Sequence, residues 1–219
     1  MLEPTPGEPH TLSGGGGGGP PKGLFERVKD ILMKPKEEWA VIDNEQSTIG
    51  SIFTGYVLIL AAIGPIAMVI GHQVFGIYGF KPPMEFTIAT AALTYVLALV
   101  AVYVNSLIID ALAPTFGGTK DSLKAFKVAA YSATAAWVVG IFQIIPMLGF
   151  LAILGLYSLY LLYLGLPRLM RVSEDKALGY TIVVIVVQIV VYVLCFWLVG
   201  MLVLSIIGPM VVAPTMIRY

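Results

Sequence analysis

Apolar and polar positions divide the chain into long stretches free of Asp, Glu, Lys and Arg, separated by short charged segments. The stretches lie between Glu45 and Lys81, Glu85 and Asp110, Lys127 and Arg168, and Lys176 and Arg218. They hold 35, 24, 40 and 41 residues. A helix needs about 20 apolar residues to cross the hydrocarbon core, so each stretch has room for at least one span. Helix breakers place them. The first span is expected from Ile49 to Gly71, with a kink at Gly64-Pro65. The second is expected from Glu85 to Leu112, stopping near Pro114. The third stretch is too long for one span, and Pro146-Met147-Leu148-Gly149 near its middle is a turn signal. It therefore divides into a third span, Lys124 to Ile145, and a fourth, Leu148 to Leu166, joined as a tight hairpin with no charge at its tip. The fifth is expected from Gly179 to Ile207, ended by Gly208-Pro209. One long span with a bent end is favoured there over two, because Pro209 and Pro214 interrupt the remaining apolar residues. The pattern predicts an all-α, polytopic membrane helical bundle of five transmembrane helices over residues 49–207, with a short tail at 208–219.

Ahead of the first span the periodicity changes. Leu24, Phe25, Val28, Ile31 and Leu32 fall on one face of a helix, and Pro35 ends or kinks it. A second short amphipathic piece comes next, Glu37-Glu38-Trp39-Ala40-Val41-Ile42. Trp39 suits the level of the headgroups. The segment 23–48 is therefore expected to lie in the interface; the alternative is packing on the protein's own loops. Residues 1–22, with six consecutive glycines from Gly14 and then Pro20-Pro21, bury too little apolar surface to offset ordering entropy and are expected to form a flexible tail. The polar, Pro-rich opening leads to no expectation of a cleavable signal peptide.

Composition agrees with a membrane protein: 58% hydrophobic, only 12% charged, mean hydropathy +0.89. Soluble domains carry about 25% charged residues. A formal net charge of zero leaves no nucleic-acid footprint. The single cysteine, Cys195, excludes a disulfide framework or thiolate zinc site within one chain. Lys and Arg are counted as 5, 1, 3, 0, 3 and 1 over the N-terminal segment, the four loops and the C-terminal tail. This alternation predicts a cytoplasmic N-terminus and an outside C-terminus.

The chain resembles the Yip family (Ypt/Rab-interacting membrane proteins), in its bacterial branch, over roughly residues 24 to 205. The resemblance rests on Leu24-Phe25, on Lys36-Glu37-Glu38-Trp39, and on Phe116-Gly117-Gly118-Thr119 between the second and third spans. Ile145-Pro146 at the hairpin and Lys176-Ala177-Leu178 before the last span add to it. Eukaryotic members carry an Asp-Leu-Tyr-Gly-Pro motif ahead of the first span. Here only Asp110-Ala111-Leu112-Ala113-Pro114 echoes it, at another place, so a Rab-linked trafficking role does not carry over. The resemblance implies a five-helix integral membrane protein with a cytoplasmic N-terminus, in a bacterial inner (plasma) membrane, from a family not known as enzymatic.

Asp110 is the acid most exposed to suspicion, because it closes a long apolar span. A carboxylate at a helix C-terminus opposes the dipole and is costly to bury unpaired. With Asn105 and Ser106 nearby it forms a candidate intramembrane polar site, either for a proton or ion or as a structural anchor to Lys124, Lys127 or Arg168. Lys120, Lys124 and Lys127 share a helical face and, with Arg168 and Arg171, are candidates to hold anionic lipid headgroups; the positive-inside rule alone also explains them. In the loop Gly117-Gly118-Thr119-Lys120-Asp121 the glycines permit a tight turn, Thr119 is expected to N-cap the third helix, and the order is wrong for a phosphate loop. Ala129, Ala133, Ala136 and Gly140 allow close helix approach, within the monomer or in a homo-oligomer. Gln143 and Gln188 are expected to bond between helices, Tyr157, Tyr160 and Tyr163 are belt or packing residues, and His10 and His72 are too isolated for a metal site. No catalytic constellation and no cofactor are expected. Two functions remain open: a non-enzymatic scaffold binding an unknown protein partner or lipids at its cytoplasmic face, and a small-solute or ion transporter or channel using Asp110.

Overall fold

The computed structural model describes residues 22–77 and 80–212, with backbone alone at 196, 199, 200 and 202–212. The expected tail, apart from Lys22, lies outside the described residues, as do His10 and Arg218. Two short helices, α1 (Leu24–Met33) and α2 (Pro35–Asn44), precede the membrane domain. Pro35 opens α2, where its missing N–H is no loss. Five helices are then long and apolar enough to cross a membrane: Ile49–Val74, Met84–Phe116, Ser122–Ile144, Pro146–Met170, and a fifth that is apolar over Glu174–Cys195. They are referred to as the first to fifth spans.

The first span is irregular at two places, of which the expected Gly64-Pro65 kink accounts for the second. Phe53–Val57 is wound as a π-helix, and the helix breaks at Ala62, three residues before Pro65. The hairpin between the third and fourth spans turns at Ile145, whose extended backbone is what the following Pro146 imposes. Gly208-Pro209 does not end the fifth helix, which continues to Val212. This corrects the expected break: a proline loses one hydrogen bond and strains the turn before it, but in lipid the rest of the backbone has no partner other than its own helix.

The third span is the centre of the bundle, with 61% of its most apolar stretch buried against 11% to 39% for the others. It packs on the first, second and fourth spans, and the fifth closes against the second and fourth. Its small residues are used inside the monomer. A Cβ at Gly140 would lie 2.9 Å from the Gly64 backbone, and one at Gly71 only 2.3 Å from the Gln143 carbonyl oxygen. Gly155 lies against Ala136. Apolar side chains such as Ile66, Val96, Val100, Val186 and Ile189 face outward, the arrangement that lipid favours.

Candidate functional site

Apart from Lys81 and Glu85, the described charged residues gather at one end of the bundle, where α1 and α2 dock on the third and fourth spans. The ridge of α1 that carries Ile31, and the ridge of α2 that carries Trp39 and Ile42, are fully buried. The Trp39 ring is therefore covered by protein rather than by lipid. Its ring lies over Gly165 of the fourth span, where a Cβ would come within 2.7 Å of Cζ2, and meets Tyr131 edge-on at 6.5 Å. The ridges with Ile31, Trp39 and Ile42 thus follow the alternative of packing on the protein itself, whereas Phe25, on the expected apolar face of α1, stays exposed.

Between these helices lies a buried ionic cluster. Arg27 donates through Nη1 to Glu38 and through Nη2 to Glu45. These three side chains are 1%, 2% and 8% exposed. Lys22 reaches Asp30 at 2.6 Å and Glu38 at 2.7 Å. Those hydrogen bonds hold the Lys22 ammonium above the ordinary lysine value and the Asp30 carboxyl below the ordinary aspartate value. The Arg27 guanidinium stands 5.3 Å over the Tyr131 ring, a cation–π contact. Tyr131 in turn meets Tyr56 at 4.8 Å. The Thr134 hydroxyl donates to the Tyr131 carbonyl at 2.6 Å, so its oxygen is left to accept from Tyr56 at 2.6 Å. A polar and aromatic chain thus runs from α1 to Tyr56, inside the π-helical segment of the first span.

The remaining cations are bound to the end of α2. Lys124 Nζ lies 2.9 Å and Arg171 Nη2 3.1 Å from the Asp43 carboxylate. Lys127, only 3% exposed, donates to the carbonyls of Ile42 and Glu45 at 2.8 and 2.6 Å. These are end carbonyls of α2, where a cation complements both the unpaired acceptors and the dipole. Five candidates for lipid headgroups therefore separate. Lys124, Lys127 and Arg171 are engaged by the protein, whereas Lys120 and Arg168 are exposed.

The candidate intramembrane site also separates. Asp110 finds no cation among the described residues. Its Oδ1 accepts from the Asp121 N–H at 2.8 Å and Oδ2 from the Ser122 hydroxyl at 3.2 Å. It thereby sits at the N-terminus of the third span, whose dipole offsets the unfavourable end of its own helix. Thr119 is not the cap: Asp121 is, accepting from the Lys124 N–H at 2.9 Å. Thr119 instead donates its N–H to the Met170 carbonyl at 2.9 Å. Gly117 has φ 77°, and a Cβ at Gly118 would lie 2.6 Å from the Met170 carbonyl oxygen, so both glycines are required. Ser106 bonds back to the Tyr103 carbonyl at 2.7 Å. Asn105 lines a cavity of about 220 Å³ between the second to fifth spans, with Gln188 and Ser158, and its Oδ1 is buried without a partner among the described residues. Asp110 does not line that cavity.

Sequence reasoning missed Arg27, Glu38, Asp43 and Glu45. No local signal marked them: Glu45 lies beyond the end of α2, and the partners pair across elements. No group of three or more His, Cys, Asp or Glu that would hold a metal occurs among the described residues.

Comparison with curated proteins and with solved structures gives no match. One family model does match, and it covers the greater part of the ion cluster, the loop at Gly117 and all five spans. It is the Yip1 domain, over residues 29–198, and the chain belongs to that family of integral membrane proteins.

Proposed function

We propose that this multi-pass protein is a non-enzymatic membrane scaffold that binds protein partners or lipids through the face built by α1, α2 and the adjoining loops. That face is cytoplasmic and the C-terminus lies outside, in a bacterial plasma membrane. The Lys and Arg alternation supports the orientation. The observation that carries the scaffold reading is the buried ionic cluster. It fixes α1 and α2 as a rigid platform and leaves Phe25 and Met33 outward, 83% and 74% exposed. Exposed large apolar side chains on a rigid polar platform are suited to recognition.

The test is purification in mild detergent of the wild type and a Phe25→Glu, Met33→Glu variant. The expected result is a defined set of co-purifying proteins that the variant loses. An identical set from both, with lipid content matching the bulk membrane, overturns the reading. Orientation is checked by a cysteine placed at Lys29, which should be labelled by an impermeant reagent only in inside-out vesicles.

A transport reading keeps one observation, the cavity with Asn105 and Gln188. It is decided by solute flux in proteoliposomes, where Asn105→Leu must abolish any flux seen in the wild type.

A further inference from the structure

We infer that a groove between α2, the fourth span and the start of the fifth is a binding site for the headgroup of an anionic phospholipid. The inference rests on the lipid-binding part of the scaffold reading and names its place. The groove has a volume of about 550 Å³, within the range of ligand sites. Lys36 and Arg168 both line it. Five cations of this end are engaged, Lys22, Arg27, Lys124 and Arg171 by carboxylates and Lys127 by carbonyls, and of the exposed ones Lys36 and Arg168 are those that line the groove. Lys36 and Arg168 make no ion pair with any described residue, although Glu174 lines the same groove. Two unpaired cations lining one concavity are complementary to a phosphate.

A third group points the same way. Trp39 lines the groove and is fully buried, yet its indole N–H has no partner among the described residues. Buried donors are nearly always satisfied, and an anion that enters the groove and parts its wall at Trp39 would satisfy this one. Depth in the bilayer selects a lipid over a free anion. Arg168 lies in the last turn of the fourth span and Glu174 opens the fifth helix. The groove is thus at headgroup level, and Leu164 and Val172 give it an apolar wall for the upper part of an acyl chain. Basic pockets between transmembrane helices are recognised sites for anionic headgroups. Glu174 also lines the groove. Its carboxylate disfavours a doubly charged phosphate monoester and accepts hydrogen bonds from headgroup hydroxyls. The class that fits is a singly charged phosphodiester with hydroxyl donors, of the phosphoglycerol type.

The test uses the full chain, delipidated in detergent and titrated with phosphatidylglycerol or phosphatidylcholine under native mass spectrometry. Phosphatidylglycerol should bind one equivalent at least tenfold more tightly than phosphatidylcholine. Lys36→Gln with Arg168→Gln, both exposed, should weaken it about 30-fold. Trp39→Phe should weaken it several-fold, and Lys120→Gln, an exposed cation outside the groove, should not. Equal binding of phosphatidylcholine, an equal loss in Lys120→Gln, or displacement of the lipid by millimolar inorganic phosphate overturns the assignment. Phe25→Glu with Met33→Glu should leave phosphatidylglycerol binding intact. The platform reading can therefore fail alone if that variant keeps every partner, and the groove can fail alone if the Lys36 and Arg168 variant keeps the lipid.

Discussion

Replacing Arg27 by methionine removes the one cation that Glu45 holds among the described residues. Glu38 would still hold Lys22 at 2.7 Å, but Glu45 makes no other ion pair with a described residue and is 8% exposed. Taking away one partner of a buried pair costs about 3–5 kcal/mol, because the other charge is left uncompensated. At about 1.4 kcal/mol per decade, that is a rise of roughly two to three and a half orders of magnitude in the population with α1 and α2 detached. The opening is local, since α1 and α2 meet the bundle through their own faces. Hydrogen exchange of the α2 amides in detergent is the assay, with the amides of the third span as the internal control. The α2 amides should lose about 10²-fold protection or more, and those of the third span far less.

The asymmetry between the two acids sharpens the expectation. Adding Glu45→Gln to Arg27→Met should restore most of the lost protection, because an amide bears burial better than an unpaired carboxylate. Adding Glu38→Gln instead should restore little, since Lys22 already serves Glu38. If Arg27→Met changes α2 protection by less than tenfold, or if the two rescues are equal, the cluster does not fasten α1 and α2 to the bundle.

Gly165→Ala puts a Cβ within 2.7 Å of the Trp39 ring; it should cost about 1–3 kcal/mol and lower the melting temperature in detergent, and an unchanged value would contradict the packing. Asp110→Asn keeps one acceptor but loses the charge at the N-terminus of the third span, so it should cost about 1–2 kcal/mol and leave proteoliposome flux unaltered. Lys22 is raised and Asp30 lowered from their ordinary values of 10.5 and 3.8. The Lys22 contribution is complete below about pH 10.5 and is lost as pH rises through its raised value. The Asp30 contribution is complete above about pH 4 and is lost as pH falls through its lowered value. The difference in melting temperature between wild type and Lys22→Ala should therefore be flat from about pH 5 to 9 and shrink at both extremes.

The spans were legible because lipid imposes one dominant condition on sequence, an uninterrupted apolar stretch, and four such stretches with one internal proline turn dictate five helices. The helical faces of α1 and α2 were legible for the same reason, from their apolar spacing. Their destination was not. An amphipathic face states that something apolar covers it, and Trp39 reads alike whether Gly165 or an acyl chain does so. Asp110 misled differently. Judged along its own helix it occupied the wrong end of a dipole, and only the fold shows that the N-terminus of the third span faces it across the loop at Gly117. The ionic cluster was hidden because its members are ordinary charges in an ordinary charged segment, and pairing across helices leaves no local periodicity.

The same cluster explains why counting basic residues predicted an orientation and yet overstated the lipid-binding surface. Topology is set chiefly by Lys and Arg, with Asp and Glu contributing little, so acids nearby leave that count valid. Binding an anion depends on what is left after pairing. The acids of α2 take up Arg27, Lys124 and Arg171, and its end carbonyls take up Lys127. What began as a stripe of lysines on the third span is, after folding, a clamp on α2. The positive charge that still faces a concavity moves to Lys36 and Arg168, residues that share no helix and lie far apart in the sequence. A headgroup site in this chain is therefore a product of tertiary pairing: the acids that neutralise most of the basic face are what give the remainder its selectivity.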